Sequence, residues 1–311
     1  MRIISAAELE AVLDFGPLVE RLRRMFRSGC EAPVRHHHTV PTLGQHAATL
    51  LLMPAWQMGR HIGVKIVTVF PENGEKSLPS VMGAYLLLDG KTGTPLALLD
   101  GPTLTIKRTA SASALAASYL ARPDASRLLM VGTGALAPNL VLAHATVRPI
   151  REVLIWGRSV AKAERLARAL GRKGLSVSAT DDLEAAARGA HVISCATLAR
   201  EPLIRGEWLP DGCHLDLVGG FTPEMREADD EAVRRARVFV DTVEGATKEA
   251  GDIVQPIAAG VLDAGDIAGD LFALTRGERA GRRFYDQITL FKSVGTALED
   301  LAAAQLAVEL V

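Results

Sequence analysis

The chain has 311 residues, 48% of them hydrophobic and 23% charged, which suits a globular protein large enough for two domains with separate cores. A formal net charge of -1 excludes any general attraction to nucleic acid or to an anionic membrane, so anion recognition falls to a few placed cations. The three cysteines, Cys30, Cys195 and Cys213, lack C-x-x-C spacing and suggest neither a disulfide framework nor a zinc site.

In chain order, apolar periodicity first predicts an amphipathic helix over Ala6 to Arg27. Glu8, Glu10 and Asp14 interrupt it, so it reads as neither a signal nor a transit peptide, and no run of about 18 apolar residues suggests a membrane span. A cytoplasmic location is therefore expected. Strand patterns follow at Thr49 to Met53, Gly63 to Phe70, Gly83 to Leu88 and Pro95 to Leu99, the last two joined by the hairpin turn Asp89-Gly90-Lys91-Thr92-Gly93. This part is β-rich and antiparallel in character. A helix over Thr103 to Leu120 then stops near Arg122-Pro123-Asp124.

From Arg127 the pattern changes to short apolar runs separated by helical stretches: Leu128 to Val131, Val153 to Trp156, Val177 to Ala179, Val192 to Cys195, His214 to Val218 and Val238 to Asp241. Strands alternating with helices predict βαβ units and a parallel sheet. The segment Ile288 to Val311 reads as a short strand and an alanine-rich helix that returns to the first domain.

After the first of these strands stands Gly132-Thr133-Gly134-Ala135-Leu136-Ala137, a G-x-G-x-x-A fingerprint opening a helix. Gly132 permits the tight turn, Gly134 lets backbone approach a pyrophosphate, and Ala137 allows close helix packing, with the anion resting on the helix N-terminus at Ala135 and Leu136. The expected fold is α/β, with a Rossmann dinucleotide-binding domain over 121–290 and an α+β domain made of 1–120 and 291–311. The second strand ends in Trp156-Gly157-Arg158-Ser159, without the acid that holds an NAD ribose. Arg158 beside Ser159 suits a 2′-phosphate, so NADPH is the preferred cofactor expected, with NADH able to bind.

Three cations in the first domain stand apart from ordinary surface charge. Lys65 interrupts an apolar strand, where a lysine must be paired, functional, or snorkelling from a half-exposed face. Arg108 sits among small residues near a helix start, and Arg35 precedes His36, His37 and His38. Those histidines alternate faces on a strand and have no spaced carboxylate, so no metal site is read from them.

Four motifs resemble the ornithine cyclodeaminase/mu-crystallin family: G-x-K-x-x-x-x-F-P-x-N at Gly63 to Asn73, D-G-x-x-x-T-x-x-R-T-A at Asp100 to Ala110, the glycine fingerprint, and F-K-S-V-G at Phe291 to Gly295. The resemblance implies that Arg35 and Arg108 grip a substrate carboxylate and that Lys65 points at the reacting carbon and nitrogen. It places Met53 and Phe221 against the substrate and Thr109, Thr197, Val218, Lys292 and Ser293 around the cofactor. It also implies a homodimer formed through the first domain. Where cyclodeaminases carry an aspartate in V-G-A-D-x-P-x-x-x-E, this chain has Phe221 within Val218 to Glu227, and a phenyl ring moves no protons. That change, with the phrases Arg35 to His38, Leu51 to Trp56 and Gly132 to Pro138, resembles the reductases of Δ1-pyrroline-2-carboxylate and Δ1-piperideine-2-carboxylate. Three other readings remain: a cyclodeaminase with Asp216 or Glu227 as displaced acid, an NADPH-dependent small-molecule binding protein, and an alanine dehydrogenase-like reductive aminase.

Overall fold

The computed structural model describes residues 1–44, 46–171 and 174–311. The chain forms two compact units, one of Met1–Arg108 with Thr296–Val311 and the other of Thr109–Gly295. The sequence-based limit at 120/121 follows the end of a helix and that at 290/291 falls inside the strand Thr289–Lys292, whereas the packing divides the chain within that helix and just beyond that strand.

The first unit starts with β1 (Arg2–Ile4), α1 (Ala6–Val12) and α2 (Phe15–Ser28). The single helix expected over Ala6 to Arg27 is therefore two. In a continuous helix the Pro17 ring would strike the carbonyl of Leu13, so the chain restarts at Asp14 with Pro17 in the first turn, where its missing amide costs nothing. Next come β2 (His36–Val40), β3 (Ala48–Gln57), β4 (His61–Val69), β5 (Val81–Asp89) and β6 (Pro95–Asp100), then α3 (Gly101–Leu120), whose first two turns belong to this unit. The sheet order is β1-β6-β5-β4-β3-β2, antiparallel except for the β1–β6 pair.

Alternation sets its two faces. Met53 and Ala55, Gly63 and Lys65, Tyr85 and Leu87, and Ala97 and Leu99 are all buried on one face. Their alternates Trp56, Ile66 and Met82 are exposed on the other.

The second unit contains β7 (Arg127–Val131), α4 (Leu136–Val147), β8 (Glu152–Trp156), α5 (Val160–Gly171), β9 (Ser176–Thr180), α6 (Leu183–Gly189) and β10 (Val192–Cys195). It continues with β11 (His214–Leu217), α7 (Asp230–Arg235), β12 (Arg237–Val240), α8 (Val243–Glu249), α9 (Gly251–Ala258), β13 (Gly269–Asp270), α10 (Leu271–Arg276) and β14 (Thr289–Lys292). The chain then re-enters the first unit as α11 (Ala297–Leu310), which packs on α2, β3, β4 and β5. The eight parallel strands lie in the order β13-β12-β14-β11-β10-β7-β8-β9. From β7 the chain winds outward through β8 and β9, then returns to the other side at β10, so the winding reverses between β7 and β10. Strand β14 enters between β11 and β12 rather than joining the first unit with the helix that follows it. Leu129, Val131, Ile193, Leu215, Leu217, Val240 and Leu290 form the centre of this unit's core. Among the described residues no helix is long and apolar enough to cross a membrane.

Candidate functional site

In the first unit two of the three singled-out cations share one row of the sheet, and the third, Arg108, stands on α3. Met53 lies opposite Lys65, Lys65 opposite Tyr85, and Tyr85 opposite Leu99. His36 pairs with Leu52, so the same register carried back one residue sets Arg35 opposite Met53. Gly63 makes room for this row, because a Cβ there would fall 1.9 Å from the Tyr85 hydroxyl oxygen. Lys65 is only 3% exposed, which removes the snorkelling reading.

Two fully buried carboxylates on α11 complete the row. Lys65 Nζ lies 3.0 Å from Asp300 Oδ1 and 2.8 Å from Oδ2. Arg108 donates from Nε to the same Asp300 Oδ1 at 3.0 Å and from Nη1 to Glu299 Oε2 at 2.5 Å. Part of the Arg108 fork expected to face a substrate is therefore turned toward protein carboxylates. Burial pushes Lys65 down to about 8; Asp300 opposes this, while Arg108 and Arg35 add to it. Lys65 and Arg108 are thus matched in charge by Asp300 and Glu299. The Tyr85 hydroxyl has no hydrogen-bond partner among the described residues, and burial holds it protonated well above the ordinary phenol range.

Neither Glu299 nor Asp300 was singled out from the sequence. The signal was present: two adjacent acids inside Ala297-Leu298-Glu299-Asp300-Leu301-Ala302-Ala303-Ala304 interrupt an apolar helix as Lys65 interrupts an apolar strand.

In the second unit the glycine turn sits at the carboxyl end of β7, where the winding reverses and such sheets open a crevice for ligands. Gly132 has φ 123°, and a Cβ on it would meet the Ala196 carbonyl oxygen at 2.5 Å. A Cβ on Gly134 would meet nothing within 4 Å, which leaves the approach above the turn open. Ala135 forms the N-cap of α4 without a side-chain hydrogen bond, and Ala137 is fully buried under the helix. Unpaired amides at an uncovered helix start fit a dinucleotide pyrophosphate. At the end of β8, Arg158 is exposed and makes no hydrogen bond or ion pair among the described residues, beside half-buried Ser159.

The neighbouring carboxyl ends of β10, β11 and β14 are tied by a buried charge network. Glu227 Oε1 accepts from the Thr197 amide at 2.7 Å and from its hydroxyl at 2.8 Å. Asp252 Oδ1 accepts from the amides of Glu227 and Ala228, and Lys292 Nζ lies 3.1 Å from Asp252 Oδ2 and 2.5 Å from the Gly219 carbonyl oxygen. The Lys292 ammonium, expected beside the cofactor, is thus enclosed in protein and holds the Gly219 loop. Val218 is nearly buried and its amide bonds the Cys195 carbonyl, whereas Phe221 projects exposed from that loop. Asp241 Oδ2 fixes the Ser293 turn through the amides of Val294 and Gly295 and the Ser293 hydroxyl. Thr109, in α3, is nearly buried.

The two acids considered as stand-ins for the missing aspartate differ. Asp216 is fully buried, accepting from Ser194 Oγ at 2.7 Å and lying 3.1 Å from His144 Nε2. Burial resists its ionisation, but His144, His214 and Ser194 outweigh that and hold it below the ordinary carboxyl range. It is sealed in the core and cannot reach a substrate. Burial pushes Glu227 up to about 7, against the pull of Lys292. No cluster of three or more His, Cys, Asp or Glu able to hold a metal occurs among the described residues.

A parallel sheet with this glycine turn at its reversal point defines a dinucleotide-binding α/β protein. The chain belongs to the ornithine cyclodeaminase/mu-crystallin family, which matches residues 4–311. It is 40% identical to a Δ1-pyrroline-2-carboxylate reductase of Paracoccus denitrificans over 94% of each chain, and 37% identical to one of Colwellia psychrerythraea over 99% of each. Its fold matches the Thermococcus litoralis Δ1-pyrroline-2-carboxylate reductase in complex with NADH and L-proline, with a TM-score of 0.93, 35% identity, and coverage of 99% of this chain and 97% of that one.

Proposed function

We propose that the protein is a nicotinamide-dependent reductase of cyclic ketimines. It reduces Δ1-pyrroline-2-carboxylate to L-proline and Δ1-piperideine-2-carboxylate to L-pipecolate, prefers NADPH, and acts as a cytoplasmic homodimer. The observation that carries this reading is the buried Lys65 and Arg108 pair held by Asp300 and Glu299, with Arg35 half-buried on the Lys65 row of the sheet, in a chain whose position 221 holds phenylalanine rather than an acid. Likeness to reductases bearing that activity supports it.

The bound cofactor supplies the hydride that reduces the imine carbon. The residues of the chain do the rest. Arg35 and Arg108 bind and orient the carboxylate, and Met53 with Phe221 offers apolar surface to the ring. The Lys65 ammonium keeps a proton at the ring nitrogen, which makes the adjacent carbon electrophilic and leaves a secondary amine after hydride addition. Arg158 and Ser159 receive a 2′-phosphate, the basis of the NADPH preference. The exposed sheet face bearing Trp56, Ile66 and Met82 is an apolar surface of the kind that pairs two copies.

The test follows loss of reduced-nicotinamide absorbance with each imine, using NADPH and NADH in turn. Rapid oxidation, abolished by Lys65→Ala while NADPH still binds, is the expected result. Ammonia release from ornithine without reductant would favour the cyclodeaminase, and tight NADPH binding with no turnover would favour the binding protein.

A further inference from the structure

We propose that Asp300 is a positioning residue for this reduction: one buried carboxylate holds Lys65 in its charged form and fixes the arginine that receives the substrate carboxylate. The inference rests on the proposed function for its chemistry, but its physical basis lies within the first unit alone. Asp300 is fully buried, yet it offers Oδ1 to both cations and Oδ2 to the lysine. A carboxylate in such a place needs partners that compensate its charge. Two cations in direct contact do this, and so does its place in the first turn of α11, where the helix start favours negative charge.

The surroundings of Lys65 show why this matters. Arg108 faces it from α3 and Arg35 from the segment ahead of β2, and both disfavour its proton. Across the strand pair, Tyr85 is a neutral phenol whose own proton is held by burial and by the nearby Asp300 carboxylate. Met53 is apolar. Glu299, the other buried α11 carboxylate, bonds to Arg108. Among the described residues, only Asp300 both touches the lysine and favours its charged form. Without it, burial and two arginines would leave Lys65 a neutral amine near neutral pH, unable to keep the imine nitrogen protonated as hydride reaches the carbon.

The test is an NMR titration of lysine labelled with 13C at Cε, in the intact protein without substrate, with Lys65→Arg assigning the signal. In the wild type Lys65 is expected to titrate near about 8. Asp300→Asn should lower the midpoint by about one to three pH units, whereas Glu299→Gln should move it far less and should raise KM for the imine. The alkaline limb of kcat/KM should fall with the Asp300→Asn midpoint, and in Lys65→Arg, if turnover survives, it should recede to much higher pH. A purely structural Asp300 would lower activity without moving the limb. An unmoved lysine midpoint in Asp300→Asn overturns the proposal, as does a limb that stays in place while the midpoint moves. If Asp300→Asn does not fold, a wild-type alkaline limb retained in Lys65→Arg overturns it instead. The titration needs no substrate, so absence of wild-type turnover would dismiss the reaction, and an unmoved lysine would dismiss the role of Asp300.

Discussion

An alanine at Gly134 puts a methyl group above the glycine turn without touching the protein. The ideal Cβ meets nothing within 4 Å and the residue does not lie in the left-handed region, so the folded state accepts the change. Loss of unfolded-state freedom makes the apo protein equal in stability or more stable by about 0.4–1 kcal/mol. Carbon atoms pack at about 3.5–4.0 Å, so the methyl takes the space in which a pyrophosphate oxygen would approach the backbone amides. Each charge-assisted bond lost costs about 1.5–3 kcal/mol, or roughly 10- to 150-fold in affinity. Titration of NADPH fluorescence should therefore show a Kd weakened by at least tenfold, while melting without cofactor changes by no more than about 2–4 °C. Gly132→Ala should do the opposite first, destabilising the apo protein through its φ of 123° and the 2.5 Å approach to the Ala196 oxygen. Unchanged NADPH affinity in a folded Gly134→Ala variant would refute the placement of the cofactor.

Further expectations concern cofactor choice, pH and assembly. Arg158→Ala should weaken NADPH by about 10- to 100-fold and leave NADH binding nearly unchanged, as measured by parallel titrations; equal losses for both would remove Arg158 from the discrimination. Because the folded protein holds the Glu227 proton more tightly than the unfolded chain, with its pKa raised from 4.5 to about 7, that contribution to stability is full below pH 4.5 and is lost as pH rises through about 7. Glu227→Gln should accordingly flatten the decline in melting temperature between pH 5 and pH 8, and an identical decline in both proteins would show that Glu227 does not titrate there. If the proposed homodimer forms through this sheet face, Ile66→Lys should give a folded monomer in light scattering where the wild type gives a dimer mass; a dimer mass in both would place the interface elsewhere.

Much of the fold was legible because its signals are local. Apolar runs bounded by turn residues marked β3 to β6, and Gly132 to Ala137 marked a turn where a backbone can come close to an anion. The break between α1 and α2 was also written locally, in Pro17, but the amphipathic periodicity on either side masked it. Strand β14 was not legible in the same way. Thr289 to Lys292 are apolar enough for a strand, yet nothing in four residues says that the gap they fill lies between β11 and β12. The site divides likewise. Lys65 and Arg108 stand out as charges in apolar or small-residue surroundings, whereas Asp300 becomes meaningful only when a helix 192 residues beyond Arg108 lays it against both. Lys292 shows the reverse case, a motif residue whose ammonium serves the Gly219 loop from inside.

The return of the chain after β14 also fixes an order of events during synthesis. Strands β12 and β13 have no link to the rest of their sheet until Thr289 to Lys292 leave the ribosome, because β11 and β12 are joined only through β14. The first sheet waits longer still, since α11 covers β3, β4 and β5 and brings the carboxylates that neutralise Lys65 and Arg108. A nascent chain that has finished both sheets' other strands still carries an uncovered apolar face and two unmatched cations. Neither half can reach its final stability before residues 289–310 are made, so both should mature together, late, rather than in the order in which they are translated.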